Sequence, residues 1–219
     1  MVSLPNIKIQ SRALKYGYSN ARVRGMKGLL LKAGFLDELI RVRSTDAMVE
    51  LLQRTGYKED LVSLSLRHKG SSLVELASSK NFNRVAKKIK VMAPRDDQHF
   101  IEAMLRRWDI LNLKTLLNGL RLGRSYDSIK PYLFAVGSMD ESDLERIGKA
   151  QDILSELRKT DFGRELLYQG KITAKMRDYF KTALKNPDSF TQLQAILDGY
   201  SYIFIDKITY IISPLKYSN

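Results

Sequence analysis

The sequence has no cysteine, two histidines, five prolines and one tryptophan among its 219 residues. Without cysteine, disulfides and thiolate metal sites are excluded, which fits a reducing compartment. His68 and His99 each stand alone, without a carboxylate or second histidine at ligand spacing, so we interpret both as surface or helix-end residues. No segment approaches the roughly 20 apolar residues of a membrane-spanning helix. The best candidate, 200–215, is interrupted by Asp206 and Lys207.

The motifs of common active sites are also missing. The sequence contains no glycine-rich phosphate loop, serine nucleophile elbow or paired-histidine metal motif. Glu50 with Asp60, and Asp96 with Asp97, could be paired carboxylates. Neither pair has an apolar setting that would shift a pKa for acid–base catalysis. The sequence therefore predicts a protein that is not an enzyme and needs no cofactor or catalytic metal.

Charge is the strongest compositional signal. The chain has 37 Lys and Arg against 24 Asp and Glu, a net charge of +13 and a pI near 9.8. This balance favours an acidic partner, which could be nucleic acid, anionic lipid or an acidic protein surface. For each cluster taken alone, a solvated helix face is the simpler explanation. The densest clusters are Arg84, Lys87, Lys88 and Lys90, and then Arg106 and Arg107.

Apolar periodicity predicts an all-α fold. Helix 45–54 has Ser44, Thr45 or Asp46 as its N-cap, and 186–189 is a break that caps the last helix. Segment 200–212 could be a strand in isolation, but its position after a helical pattern favours helix. The predicted helices are 11–31, 37–42, 45–54, 58–68, 72–92, 96–122, 142–149, 151–160, 173–185 and a last one from about 190 to before Pro214.

An internal repeat organises the chain. Residues 48–57 recur in character as 153–162, and the shift of 105 residues that carries Thr55 onto Thr160 also carries Asp60 onto Glu165. Two unrelated amphipathic helices ending in Thr-x-aromatic would align nearly as well. The repeat predicts two similar helical lobes. We place the first lobe at 1–94, a connecting central helix at 95–124, and a second, partial lobe at 125–219.

Two segments go beyond a generic helical protein: Tyr-Gly-Tyr-Ser-Asn-Ala-Arg-Val-Arg at 16–24 and Trp-Asp-Ile-Leu-Asn-Leu-Lys at 108–114. With Leu-Leu-x-x-Thr-x-Tyr at 51–57 between them, the chain resembles the C subunit of the archaeal and bacterial A/V-type ATP synthases. The eukaryotic relative of that family is the d subunit of the vacuolar ATPase. The resemblance marks these residues as candidates for structural or partner contacts: Tyr16, Tyr18, Asn20, Arg22, Arg24, Trp108, Asp109, Asn112 and Lys114.

The resemblance implies pseudo-repeated helical lobes forming part of a funnel with pseudo-threefold symmetry. The chain has one lobe and most of a second. A further Asp-x-x-Asn-x-Lys helix expected after Tyr210 is missing, so we expect a short member, a truncated gene or a fragment. The implied function is a non-catalytic rotor socket at the cytoplasmic face of the membrane. It would join the central stalk to the proteolipid ring and transmit torque for proton or sodium transport and for ATP synthesis or hydrolysis.

The motif at 108–114 places two polar side chains in a largely apolar helix, and these need hydrogen-bond or ionic partners. Asp109 and Asn112 lie three residues apart on one face of a largely apolar helix, and a buried carboxylate needs a partner. We expect either that Arg22 or Arg24 pairs with Asp109, or that both arginines face a partner subunit. Trp108 could be a core anchor or a partner contact.

A basic α-helical nucleic-acid-binding protein is the alternative function. It rests on the net charge and on a mixed aromatic and basic patch of Tyr16, Tyr18, Arg22 and Arg24. No recognised nucleic-acid-binding module is present, so no nucleic acid is expected as a partner.

Overall fold

The computed structural model describes the backbone of residues 7–168 and 173–212, and the side chains of 14–167, 178–200 and 202. Every regular element in these residues is helical, which confirms the all-α prediction. The chain divides into two compact units, unit 1 (Met1–Gln98) and unit 2 (His99–Asn219). The division into 1–94, 95–124 and 125–219, and the threefold arrangement of lobes, stay predictions.

Unit 1 is built from short helices packed on one long one, α5. Its small core contains Leu52, Leu61, Leu73 and Ala77, with partly buried apolar side chains around them. The helix α3 begins where predicted, because the Ser44 hydroxyl accepts a hydrogen bond from the Ala47 N–H at 3.2 Å. The helices described in this unit are α1 (Ile7–Gly28), α2 (Ala33–Arg41), α3 (Thr45–Leu52), α4 (Lys58–Leu64) and α5 (Gly70–Met92), followed by a 3₁₀ turn at Arg95–Asp97.

Unit 2 has the larger core, which surrounds α7. Leu113, Leu116 and Leu117 of that helix are almost completely buried. Asn186, within the break predicted at 186–189, caps the last helix, since its side-chain oxygen accepts from the Asp188 N–H at 2.9 Å. The helix begins at Pro187, earlier than the predicted start near 190. The described helices are α6 (Gln98–Leu105), α7 (Arg107–Arg121), α8 (Tyr126–Ile129), α9 (Glu141–Lys149), α10 (Ile153–Leu157), α11 (Asp161–Tyr168), α12 (Thr173–Thr182) and α13 (Pro187–Ile212), with a 3₁₀ turn at Lys130–Tyr132.

The predicted continuous helix 96–122 is wrong. A 3₁₀ turn, α6 and α7 occupy this segment, and a turn at Arg106 separates the two α-helices. The Arg106 N–H donates to the Ala103 carbonyl at 3.3 Å, a tightened bond three residues back. No proline or glycine marks the position, so local sequence does not reveal the break.

Thr55 and Thr160, which the internal repeat aligns, form similar hydrogen bonds to the preceding helix. The Thr55 hydroxyl donates to the Leu52 carbonyl at 2.6 Å, and the Thr160 hydroxyl donates to the Leu157 carbonyl at 2.8 Å. Each threonine oxygen also accepts a backbone N–H, from Tyr57 at 3.3 Å in the first copy and from a residue of α11 at 2.9 Å in the second. The sequence similarity at a shift of 105 therefore places a threonine at the turn between consecutive helices in both units. The N–H that its oxygen accepts lies two residues farther along in the first copy and three residues farther along in the second.

Candidate functional site

The motif on α7 fastens a loop within unit 2. The Asp109 carboxylate accepts hydrogen bonds from the Ser138 N–H and hydroxyl, both at 2.8 Å, and from the Met139 N–H at 3.1 Å. Asn112 forms a two-way pair with the Phe134 backbone: its amide donates to the carbonyl at 2.8 Å, and its oxygen accepts from the N–H at 2.7 Å. Together the two side chains hold the non-helical segment 133–139 against α7. We call this arrangement of Asp109 and Asn112 with the loop 133–139 the clamp.

The buried carboxylate thus has partners, as the sequence argument required, but they are not arginines. Asp109 is 0% exposed, and its hydrogen bonds come from the loop 30 residues farther along the same unit. Arg22 and Arg24 lie on exposed positions of α1 in unit 1. The expectation that Asp109 needs one of them as its partner is therefore corrected, because Ser138 and Met139 of its own unit supply the hydrogen bonds. A carboxylate can be satisfied by backbone N–H groups as well as by a guanidinium.

Burial raises the pKa of Asp109 above its ordinary value. Removal of the carboxylate from water is the largest cause, and the hydrogen bonds from Ser138 and Met139 and the positive charge of Arg106 act in the opposite direction. The site has no second acid or base held against this carboxylate in the described contacts. Its arrangement fits a structural clamp better than proton-transfer chemistry.

Trp108 lies beside the clamp and is half-buried. Its ring packs on Phe134 at a tilt of 38°, with centroids 4.5 Å apart, and the Arg107 guanidinium lies 5.3 Å from the ring centroid. The indole therefore packs on the same loop that Asn112 fastens. This contact favours the core-anchor interpretation without testing a partner role.

Two ion pairs connect α7 and the preceding turn to other helices of unit 2. Lys114 of α7 lies 2.6 Å from the Asp198 carboxylate of α13. Arg106, in the turn before α7, pairs with Glu165 of α11, and both side chains are largely shielded from water. Sequence patterns pointed to Lys114 but not to Arg106, because an arginine in an amphipathic helix gives no sign of its partner.

Unit 1 contains a related acidic residue that sequence patterns also did not reveal. Asp60 is 2% exposed, and its carboxylate receives hydrogen bonds from Asn81 and Arg84, both at 3.0 Å. Arg84, interpreted from sequence as part of a solvated cluster, is thus an internal partner. A signal was available, since the repeat aligns Asp60 with Glu165 and both carboxylates pair with an arginine.

The first motif separates into two faces of α1. Tyr16 belongs to the inner face, where its hydroxyl donates to Asp97 at 2.7 Å. Lys15 beside it lies 3.0 Å from Asp96, and Ser19 donates to the Met92 carbonyl at the end of α5. These contacts attach α1 to the end of α5 and to the following 3₁₀ turn within unit 1.

The other candidate residues of that motif are exposed. They are Tyr18, Asn20, Arg22 and Arg24. The structure therefore brings Trp108, Asp109 and Asn112 together at one loop, and it places four of the five α1 candidates where another molecule could contact them. Their role as partner contacts stays a prediction.

Comparison with known proteins identifies the family. The model of the ATP synthase (C/AC39) subunit family matches residues 19–206. The chain belongs to this family. Its members are non-catalytic structural subunits, in agreement with the prediction that the chain is not an enzyme.

Relatives bear names from the same family. The V-type ATP synthase C subunit of Deinococcus radiodurans is 26% identical over 92% of this chain and 56% of its own length. The A-type ATP synthase C subunits of Methanosarcina mazei and Methanosarcina acetivorans are 30% and 31% identical, each over 67% of this chain and 41% of its own length. The chain thus spans about half the length of the curated relatives it matches.

The C/AC39 match includes Asn20, Arg22 and Arg24 and both buried acidic sites, whereas Tyr16 and Tyr18 precede it. Within the part of the chain that the structure describes, no helix is long and apolar enough to cross a membrane.

Proposed function

We propose that this chain is a non-catalytic rotor subunit of an A/V-type ATP synthase, acting as a socket between the central stalk and the membrane proteolipid ring. The observation that carries the proposal is the C/AC39 family match over residues 19–206, supported by relatives named as C subunits of such synthases. In this role the chain would associate peripherally with the cytoplasmic face of the membrane through its complex. It would transmit torque during proton or sodium transport and ATP synthesis or hydrolysis.

The internal structure of unit 2 suits a torque-bearing part. A rotor adaptor must keep its helices in fixed positions under load, and buried, fully bonded polar contacts are rigid and specific. The clamp of Asp109 and Asn112 fixes the loop 133–139 to α7. The pair of Lys114 and Asp198 connects the same helix to α13.

The test is co-purification from the organism that encodes the chain. Tagged protein is expressed at its normal level, membranes are solubilised, and bound species are identified by mass at moderate salt. We expect central-stalk subunits and the ring proteolipid. An unrelated tagged protein of similar pI serves as control, because a net charge of +13 attracts acidic molecules without specificity.

The alternative of nucleic-acid binding gives a different result in the same experiment. Electrostatic binding to nucleic acid falls steeply as salt rises. Recovery of RNA alone, lost between low and moderate salt, would overturn the rotor proposal. Recovery of ATP synthase subunits that survive nuclease treatment and moderate salt would support it.

A further inference from the structure

The outer face of α1 presents a line of exposed apolar and small residues. Leu14, Tyr18, Ala21 and Gly25 follow at helical spacings of four, three and four, and Leu29 continues the line just beyond the helix end. Leu14, Tyr18 and Leu29 are 83%, 65% and 74% exposed. A contiguous exposed apolar line of this kind is typical of surfaces that bind a partner.

Unit 1 as a whole also buries few of its hydrophobic side chains. Among the described residues, 7 buried hydrophobic side chains belong to unit 1 and 22 to unit 2, whereas 10 of the 16 exposed large hydrophobics belong to unit 1. A folded unit that leaves more large apolar side chains in water than it buries gains stability when a partner covers them. Unit 1 therefore has exposed apolar side chains that a partner would cover.

The excess of basic residues in unit 1 indicates that the partner surface is acidic. The first acidic residue of the chain is Asp37, and seven Lys and Arg residues precede it. Unit 1 has 19 basic and 9 acidic residues, against 18 and 15 in unit 2. Arg22 and Arg24 are exposed on either side of the apolar line. An acidic surface complements this face, whereas a second copy of the chain would bring cations against cations.

The small residues favour a polypeptide helix over a lipid surface. A Cβ added at Gly17, Gly25 or Gly28 would meet nothing within 4 Å, so the fold of unit 1 does not need glycine there. Glycine within a helix lowers its stability relative to alanine. Glycines and Ala21 add little apolar area for insertion into lipid, but they allow another helix to approach closely.

We propose that the outer face of α1, formed by Leu14, Tyr18, Ala21, Gly25 and Leu29 and flanked by Arg22 and Arg24, binds an acidic amphipathic helix of another subunit of the ATP synthase. This docking rests on the proposed function, and it assigns that function's protein contact to one helix face. The apolar line packs on the partner's apolar residues, and the arginines meet carboxylates at its margins.

The first experiment maps the contact in the assembled complex. Tyr18 is replaced by the photo-cross-linker p-benzoylphenylalanine, the complex is purified and irradiated, and cross-linked peptides are sequenced. The same cross-linker at Leu122, which is 72% exposed in unit 2, is the control. We expect the Tyr18 position to react with an acidic helical segment of another subunit, and the Leu122 position not to react with that segment.

The second experiment separates docking from folding. Gly25→Leu adds bulk to open space on the outer face, and Gly199→Leu adds the same bulk to open space on α13. Affinity is measured for the ATP synthase stripped of this chain. We expect Gly25→Leu, and separately Arg22→Glu with Arg24→Glu, to weaken binding at least about tenfold, and Gly199→Leu to bind like wild type. Thermal unfolding of each isolated variant checks that the fold is unchanged.

The outcomes distinguish the two proposals. If the chain assembles but the Tyr18 position reacts only with lipid, with a second copy or with nothing, the docking of α1 is overturned and the proposed function stands. Equal binding by Gly25→Leu and wild type would also overturn the docking. If the chain is absent from the complex, both proposals fail.

Discussion

The carboxylate of Asp109 occupies the space that a side chain at Gly137 would need. A Cβ added at Gly137 would overlap both carboxylate oxygens, although the backbone there is not in the left-handed region. Glycine is therefore required at this position by close approach and not by backbone conformation. The contact lets the Ser138 and Met139 N–H groups reach the carboxylate.

Replacing Gly137 by alanine should displace the clamp. Because the added methyl group must push away a buried charged group, we expect Gly137→Ala to lower the free energy of unfolding by about 2–3 kcal/mol. Urea denaturation measures this. Gly34→Ala in α2 is the matched control, since its Cβ would meet nothing within 4 Å, and it should be neutral or slightly stabilising. Equal effects of the two substitutions would contradict the close approach.

Asp109 should also give unit 2 a specific pH dependence. Its folded pKa lies above the ordinary value of 3.8, so its contribution to stability is complete below about pH 3.8 and is lost as the pH rises through the raised pKa. We compare wild type with Asp109→Asn by urea denaturation from pH 4 to 7. The stability difference in favour of wild type should decrease as the pH rises. An increase with pH would mean that the hydrogen bonds outweigh burial and lower the pKa.

Sequence reasoning identified the importance of the α7 motif but not its partner. Asp109 and Asn112 stood out because two polar residues on one face of an apolar helix need compensation. The loop that provides it follows 22–30 residues later and has no periodicity to align with the motif. Within that loop, Gly137 is a local sign of close approach.

Elements with local signals were easier to predict than the break in a helix. Ser44 and Asn186 are strong caps: the predicted start of α3 is confirmed, and α13 begins directly after Asn186, within the predicted break at 186–189. The break at Arg106 has no local cause, and Arg106 pairs with Glu165 far along the chain. Propensity and periodicity cannot detect a turn that accompanies a tertiary contact.

Loss of Arg84 and loss of Asp60, the buried ion pair of unit 1, should change the free energy of unfolding by different amounts. Arg84 is one-third exposed and can reach water, whereas Asp60 is 2% exposed. Arg84→Met leaves a buried carboxylate supported by Asn81 alone, and we expect a loss of about 2–4 kcal/mol. Adding Asp60→Asn to that variant removes the unpaired charge and should restore part of the stability. The free energies of unfolding of Arg84→Met, Asp60→Asn and the double variant, measured by urea denaturation, form a double-mutant cycle. A double variant less stable than Arg84→Met would show that Arg84 does not compensate the charge of Asp60.

The repeated threonine turn predicts effects that differ in size between the units. Thr160 is 4% exposed, and its oxygen accepts the Gly163 N–H at 2.9 Å. The Thr55 oxygen accepts a different N–H, that of Tyr57 two residues on, in a half-buried bond of 3.3 Å. Valine preserves the shape but leaves that N–H unpaired, so Thr160→Val should cost about 1–3 kcal/mol and Thr55→Val about 0.5–1 kcal/mol. Thr160→Ser and Thr55→Ser keep the hydroxyl and should recover most of each loss, as measured by urea denaturation. If both valine variants were neutral, the repeat at a shift of 105 would reflect hydrophobic packing of the helices and not the turn between them.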